Sequence, residues 1–169
     1  MRLVFDIEAN GLFDASRIWC LVTTDLDTAV KRKFGPSEVE QGLKHLSEAE
    51  VIIGHNVIGY DLWLIKKLYP WFEPRSTVYD TLVLSRLVYP NLSDTDTNHK
   101  AVCEAKLVGS HSLKAWGIRL GLLKLEHEDW SQFSPEMLER CSVDVDVTER
   151  LWKLIEAKNV DPRAIDLEH

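Results

Sequence analysis

Asp6 and Glu8 stand one residue apart in FDIEANG, directly after the apolar run Leu3, Val4 and Phe5. On a strand, residues i and i+2 point the same way, so both carboxylates share one face. Two ionised carboxylates that close repel each other unless a positive charge sits between them. A divalent ion is the usual solution, and an all-oxygen donor set suits Mg²⁺ or Mn²⁺. The same spacing also arises where a strand ends at residue 6 and both acids are solvated near the Asn10-Gly11 turn. This stretch alone leaves both readings open.

Two further acids could join them. In GHNVIGYD, Asp61 follows a short apolar run and leads into a helix. Strand ends that hand over to helices are where α/β folds place their sites. The plainer reading makes Asp61 a helix cap, with His55 and Asn56 bonded to loop backbone. In RCSVDVDVTERL, Asp144 lies on a late helix with Arg140 one turn earlier on the same face. An ordinary surface ion pair has that spacing too.

The elements that would have to position these acids can be read in order. Residues 2–8, 17–24 and 28–34 predict three strands, the last two joined by Asp25-Leu26-Asp27, in an antiparallel meander. Ser37-Glu38-Val39-Glu40 is a capping-box pattern, with Val39, Leu43 and Leu46 at helical spacing. Residues 51–54 form a wholly apolar run and predict a buried strand. A helix over 60–69 stops at Pro70, and Asp80 N-caps a helix over 81–88 closed by Pro90. Residues 91–109 show no period and read as a long loop, with Asp94 and Asp96 solvated. Ser110 or Ser112 opens a helix through Trp116, and Ser134-Pro135 opens the last one. Within that last helix Val143, Val145 and Val147 alternate with polar residues, which by period is a strand. The flanks decide for helix. The whole predicts an α/β domain with a mixed central sheet flanked by helices. It is not a dinucleotide-binding unit, because no GxGxxG follows a strand.

At 169 residues the chain fits one domain, and 45% hydrophobic content with six tryptophans predicts a packed globule. Trp116, Trp130 and Trp152 read as core. A net charge of −7 is the opposite of a basic nucleic-acid footprint. It counts against a broad electrostatic grip, and less against a site that holds one strand end through metals, whose ligands add to the negative total. Lys31-Arg32-Lys33 and Lys66-Lys67 read as solvated faces. No apolar run approaches the ~20 residues that cross a bilayer, and the N-terminus lacks a secretory layout. Cys20, Cys103 and Cys141 include no CxxC pair, which suits free thiols in a reducing compartment, with the cytoplasm as the expected location.

FDIEANG, then GHNVIGYD, then an Asp on a late helix resembles the ordered pattern of the DnaQ-like 3′→5′ exonucleases of the DEDD superfamily, which have an RNase H-like fold. DTLVLSRLVYPNLSDTD and GSHSLKAWGIRLG resemble segments of the proofreading domain of family A polymerases from short-tailed phages. The resemblance covers almost the whole chain. It implies an exonuclease domain over 1–160 and a tail over 161–169, which reads either as a tag remnant or as a stub toward a polymerase region. It also implies Asp6, Glu8, Asp61 and Asp144 as ligands of two divalent ions, Mg²⁺ or Mn²⁺. The implied reaction is hydrolysis of the terminal phosphodiester of a single-stranded DNA 3′ end, in the host cytoplasm if the chain is phage-encoded. Asn10, Leu12, Asn56, Tyr60 and His111 are the implied substrate-side residues, with Leu12 as a wedge. A capping or core role suits His111 equally. A polymerase domain of the same parent chain is an implied partner.

One position departs from the pattern. The third motif normally reads Tyr-x-x-x-Asp, with the tyrosine orienting the attacking water; the other branch has a histidine five residues before the Asp. Here those places hold Arg140 and Glu139. Either Arg140 pairs with Asp144 or a phosphate in a working enzyme, or its charge cripples the site and leaves a module that binds DNA ends or a polymerase surface. An RNA-trimming exonuclease is the nearer alternative, since 2′-OH discrimination is not readable from sequence.

Overall fold

The structure, a computed structural model, describes residues 1–99, 102, 104–122 and 129–159. Cys103 and the expected tail over 161–169 lie outside the described residues. The chain runs through β1 (Arg2–Ala9), β2 (Ile18–Asp25), β3 (Lys31–Phe34), α1 (Val39–Ser47), β4 (Val51–Gly54), α2 (Asp61–Leu68), β5 (Thr77–Asp80) and α3 (Thr81–Val88). It continues through α4 (Leu92–His99), a 3₁₀ turn at Ala105–Leu107, α5 (Leu113–Arg119) and α6 (Pro135–Glu156). The sheet order is β3-β2-β1-β4-β5, with β1 to β3 antiparallel and β4 and β5 parallel to β1. This is the mixed central sheet flanked by helices that the sequence predicts, and it is compatible with an RNase H-like fold.

β1 sits at the centre and its alternation splits the core in two. Leu3, Phe5 and Ile7 pack with Leu43 and Leu46 of α1 and Leu64 and Ile65 of α2. Val4 faces the other way, into a cluster with Leu84 of α3, Trp116 of α5 and Cys141, Val145, Leu151 and Trp152 of α6. By the same alternation Asp6 and Glu8 face α6. That helix packs on β1 and β2 and is in turn covered by α3 and α5. Its buried arc is therefore wide: Ser142, Asp144 and Thr148 are buried along with Val145 and Val147. The apparent period of two over 142–148 comes from this two-sided burial.

Three expectations need correction. Thr77–Asp80 is a strand, read above only as a cap ahead of a helix; TVYD is too short and too exposed on one side to show a period. Residues 91–109 are not a continuous loop, because Leu92–His99 is helical. Its sequence LSDTDTNH is rich in weak helix formers, so tertiary contacts carry it. The contact is Asp96, which is buried rather than solvated: Arg119 donates to it from Nε and Nη2 at 2.8 and 2.7 Å, and Gly109 N–H at 2.8 Å. Lys31 and Lys33 are not a free solvated face either; they reach across the sheet to Asp146 and Glu139 of α6.

Gly54 ends β4 where nothing larger fits. A Cβ there would lie 2.0 Å from Val57 Cγ1 and 3.2 Å from the Phe5 carbonyl oxygen. Gly54→Ala should lose about 1–3 kcal/mol through overpacking, read as a lower midpoint in urea unfolding; an unchanged midpoint would show that the 54–57 turn is not a tight constraint.

Candidate active site

β4 pairs with β1 only at Arg2, Leu3 and Val4, so Asp6, Ile7 and Glu8 run on past the carboxyl end of β4. The edge this leaves is met by the start of α2, where the Asp61 carboxylate accepts from its own N–H and from that of Ile7. On the other edge the β1–β2 register shifts between Glu8 and Ala9. Such irregularities bend strands and re-aim side chains beside sites. α6 crosses the same face and delivers Asp144 and, one turn earlier, Arg140.

The loops around this point are tied down by polar contacts. Asp80, itself buried, accepts from the N–H groups of Asn56 (2.8 Å), Ile58 (3.1 Å) and Leu82 (2.9 Å). It thereby holds the 55–58 turn, in which Asn56 takes φ 64°. His55 Nδ1 lies 2.9 Å from Thr81 Oγ1, which donates to the Gly54 carbonyl. Tyr60 donates its hydroxyl to the Gly11 carbonyl at 2.7 Å, and Lys67 donates to the carbonyls of Phe13 and Ala15. Asn10 spends its side-chain oxygen on the N–H groups of Ser16 and Arg17, shaping its own loop.

Asp6, Glu8 and Asp144 converge, each offering an oxygen within 4.8 Å of the others. Asp61 stands outside that trio but lines the same cleft of about 200 Å³, with Tyr60, Asn56, His55 and Arg140. Asp61 and Asp144 are each 4% exposed. Burial first, then the charges of Glu8, Asp61 and Asp144, raise Asp6 well above the usual carboxylate range. Burial is also the main reason Asp61 is pushed up to about 8. Burial and the neighbouring acids push Tyr60 up to about 12, so its phenol stays protonated. The donor set is all carboxylate, with no thiolate or imidazole in the trio. It fits a hard divalent cation, and buried acids that resist ionising lack only such a charge.

Arg140 enters this cleft. Its Nε donates to Glu8 Oε1 at 3.0 Å and lies 3.9 Å from Asp144 Oδ2. Its guanidinium lies over the Trp130 ring, 4.8 Å from the centroid, and Trp130 is fixed through its carbonyl by Trp19 Nε1 at 3.0 Å. Trp130 is thus half-buried beside the site, not simply core as the sequence reading had it. Trp116 and Trp152 are core.

With this geometry in hand, comparison with known proteins is informative. No protein-family model matches the chain. It is 36% identical to a DNA-directed DNA polymerase of Escherichia phage T7, over 197 aligned positions. It is 35% identical to the DNA-directed DNA polymerase of Enterobacteria phage T3 over the same length. Each alignment takes in 97% of this chain. Over almost its whole length the chain is similar in sequence to these phage DNA polymerases. It spans 28% of the length of each of these two proteins.

Two further hollows flank the acid cleft. One, of about 500 Å³, is lined by Asn10, Gly11, Leu12, Tyr60, Trp130 and Arg140. Leu12 and Phe13 are 66% and 78% exposed at its edge. The other, of about 330 Å³, contains His111, Arg86, Ser110 and Ser112 and shares His55, Asn56 and Leu113 with the acid cleft. His111 therefore lies beside the acids, not among them; its Nδ1 is 2.9 Å from Ser85 Oγ, and burial, Arg119 and Arg86 lower its pKa. Sequence reasoning missed Trp130 and Arg86 as site neighbours. A lone aromatic or arginine in a loop or helix carries no local signal of what it will face. Among the described residues no helix is long and apolar enough to cross a membrane.

The raised carboxyls have a measurable consequence. In the unfolded chain Asp61 ionises near 3.8, whereas in the fold it holds its proton up to about 8. Between those limits the folded state binds more protons, so this group's contribution to stability falls as pH rises. In EDTA, Asp61→Asn should melt several degrees above the parent at about pH 8, and that margin should narrow steadily with falling pH and close by about pH 4. A margin that does not change with pH would show that Asp61 is not held in a field of like charges.

Proposed function

We propose that this chain is a metal-dependent 3′→5′ exonuclease that hydrolyses the terminal phosphodiester of single-stranded or frayed DNA and releases nucleoside monophosphates. One observation carries the reading: Asp6, Glu8, Asp61 and Asp144, from three distant segments, line a single cleft. The kinship with DNA polymerases favours DNA over RNA as substrate, and a proofreading role beside a polymerase domain of a longer parent chain.

In this reading the four carboxylates hold divalent Mg²⁺ or Mn²⁺. Once bound, that charge would help ionise a water and stabilise the leaving 3′ oxygen. The protein's own groups do the rest. Leu12 and Trp130 wall a hollow large enough for a base, where aromatic and apolar surface favours unpaired nucleotides. Tyr60 stays protonated and braces the Gly11 loop, which keeps that wall in place. Asn56 and His111 border the opposite approach, with Arg86 offering positive charge to the backbone.

A second reading has its own observation. Arg140 already pairs with Glu8 and approaches Asp144, which suits a module that grips DNA ends without turning them over. An end-labelled oligonucleotide with Mn²⁺ separates the two. The enzyme should yield a ladder from the 3′ end that EDTA abolishes and Asp144→Asn reduces by ~10² or more. Arg140→Tyr should raise the rate by ~10². DNA binding with no ladder from either the parent or Arg140→Tyr would favour the binding module.

A further inference from the structure

Position 140 is where this chain parts from the pattern it otherwise follows, and the structure shows where the guanidinium goes. Arg140 does not point to solvent. Its side chain is 16% exposed and its partner Glu8 is 11% exposed. Three contacts hold it where the two hollows meet: an Nε–Oε1 bond to Glu8 at 3.0 Å, the Asp144 oxygen at 3.9 Å and the Trp130 face at 4.8 Å. A planar, permanently charged fork that stacks on an aromatic ring while bonding a carboxylate is well suited to stay put. Trp130 cannot easily yield, because its carbonyl is bonded to Trp19 Nε1, and Trp19 carries Arg17 on its own ring at 4.6 Å.

Two divalent ions would balance four carboxylates. With Arg140 in place, two ions would bring five positive charges against four negative ones, one of the ions against a fixed cation in a small cleft. One ion plus Arg140 gives three against four. We infer that Arg140 is a built-in cation that takes the place of one metal ion, so that the site binds a single divalent ion at the converging carboxylates of Asp6, Glu8 and Asp144, with Glu8 shared between that ion and Arg140. This rests on the metal-dependent reading above and sharpens its ion count. It also makes Arg140 a positioning residue that keeps Glu8 oriented and supplies charge beside the cleft.

The test is Mn²⁺ binding to the whole chain, followed by electron paramagnetic resonance and calorimetry. The titration is done without nucleic acid, because a bound phosphate would add a further negative charge to the cleft. The expected stoichiometry is one Mn²⁺ per chain, rising to two in Arg140→Tyr and in Arg140→Gln. Thermal melting confirms that the variants fold, and having two keeps the test open if one does not. The dependence of cleavage rate on Mn²⁺ should likewise change from first order to second order. Two ions on the unaltered chain, or one on the parent and on every folded variant, would overturn the inference and leave the metal-dependent reading standing. No ion on any of them would overturn both.

Discussion

The structure is organised around a concentration of like charge out of water. Two unit charges ~5 Å apart interact with about 3 kcal/mol at the effective dielectric of a protein site. Three carboxylates within that distance, with a fourth in the same cleft, would repel by an amount comparable with the whole stability of a domain. They cannot all be ionised and uncompensated. The fold answers with protons, visible as the raised carboxyls of Asp6 and Asp61, and with the guanidinium of Arg140. A divalent ion would displace the protons and use the same repulsion as its binding energy.

Such a cluster persists only if the surrounding structure overdetermines it. β1 is gripped on both faces, by Leu3, Phe5 and Ile7 under α1 and α2 and by Val4 under α6. Its outer end cannot retreat from α6, whose buried arc includes Asp144 itself. The loops are fixed by polar contacts. Asp80 gathers three backbone N–H groups, Tyr60 and Lys67 clamp the 11–15 loop to α2, and Lys31 and Lys33 fasten α6 across the sheet. The apolar layers supply the stability that the acid cleft draws down, and these polar ties set where the acids stand.

The legibility of the site in the sequence follows the range of the contacts. Asp6 with Glu8 and Arg140 with Asp144 are neighbours by local period, so their shared faces were readable at once. Most of the sheet was readable too, because Val51–Gly54 and the two hairpin strands have their own patterns. β5 and α4 were not, since neither TVYD nor LSDTDTNH is apolar or periodic enough. β5 exists because β4 offers it an edge, and α4 contains Asp96, whose partner Arg119 lies 23 residues away. Trp130 was misjudged for the same reason. Nothing near it in the chain announces Arg140 above its ring. The convergence of Asp61 with Asp6 was legible only through the order of motifs, because the edge that receives it is created by β4 ending four residues before β1 does.

The identity of residue 140 bears on whether the cleft is a working site or a remnant. A remnant is under no pressure to keep mutually repelling groups buried, and replacing any of them by a neutral residue would relieve strain. All four acids are nevertheless present, and the one cation among them is not casually placed. Arg17 stacks on Trp19, Trp19 bonds the carbonyl of Trp130, and Trp130 underlies Arg140. This line of contacts runs from the start of β2 to α6. A tyrosine in that position could neither pair with Glu8 as a cation nor offset its charge. The four acids and Arg140 form one electrostatic unit, whose remaining negative charge faces the cleft.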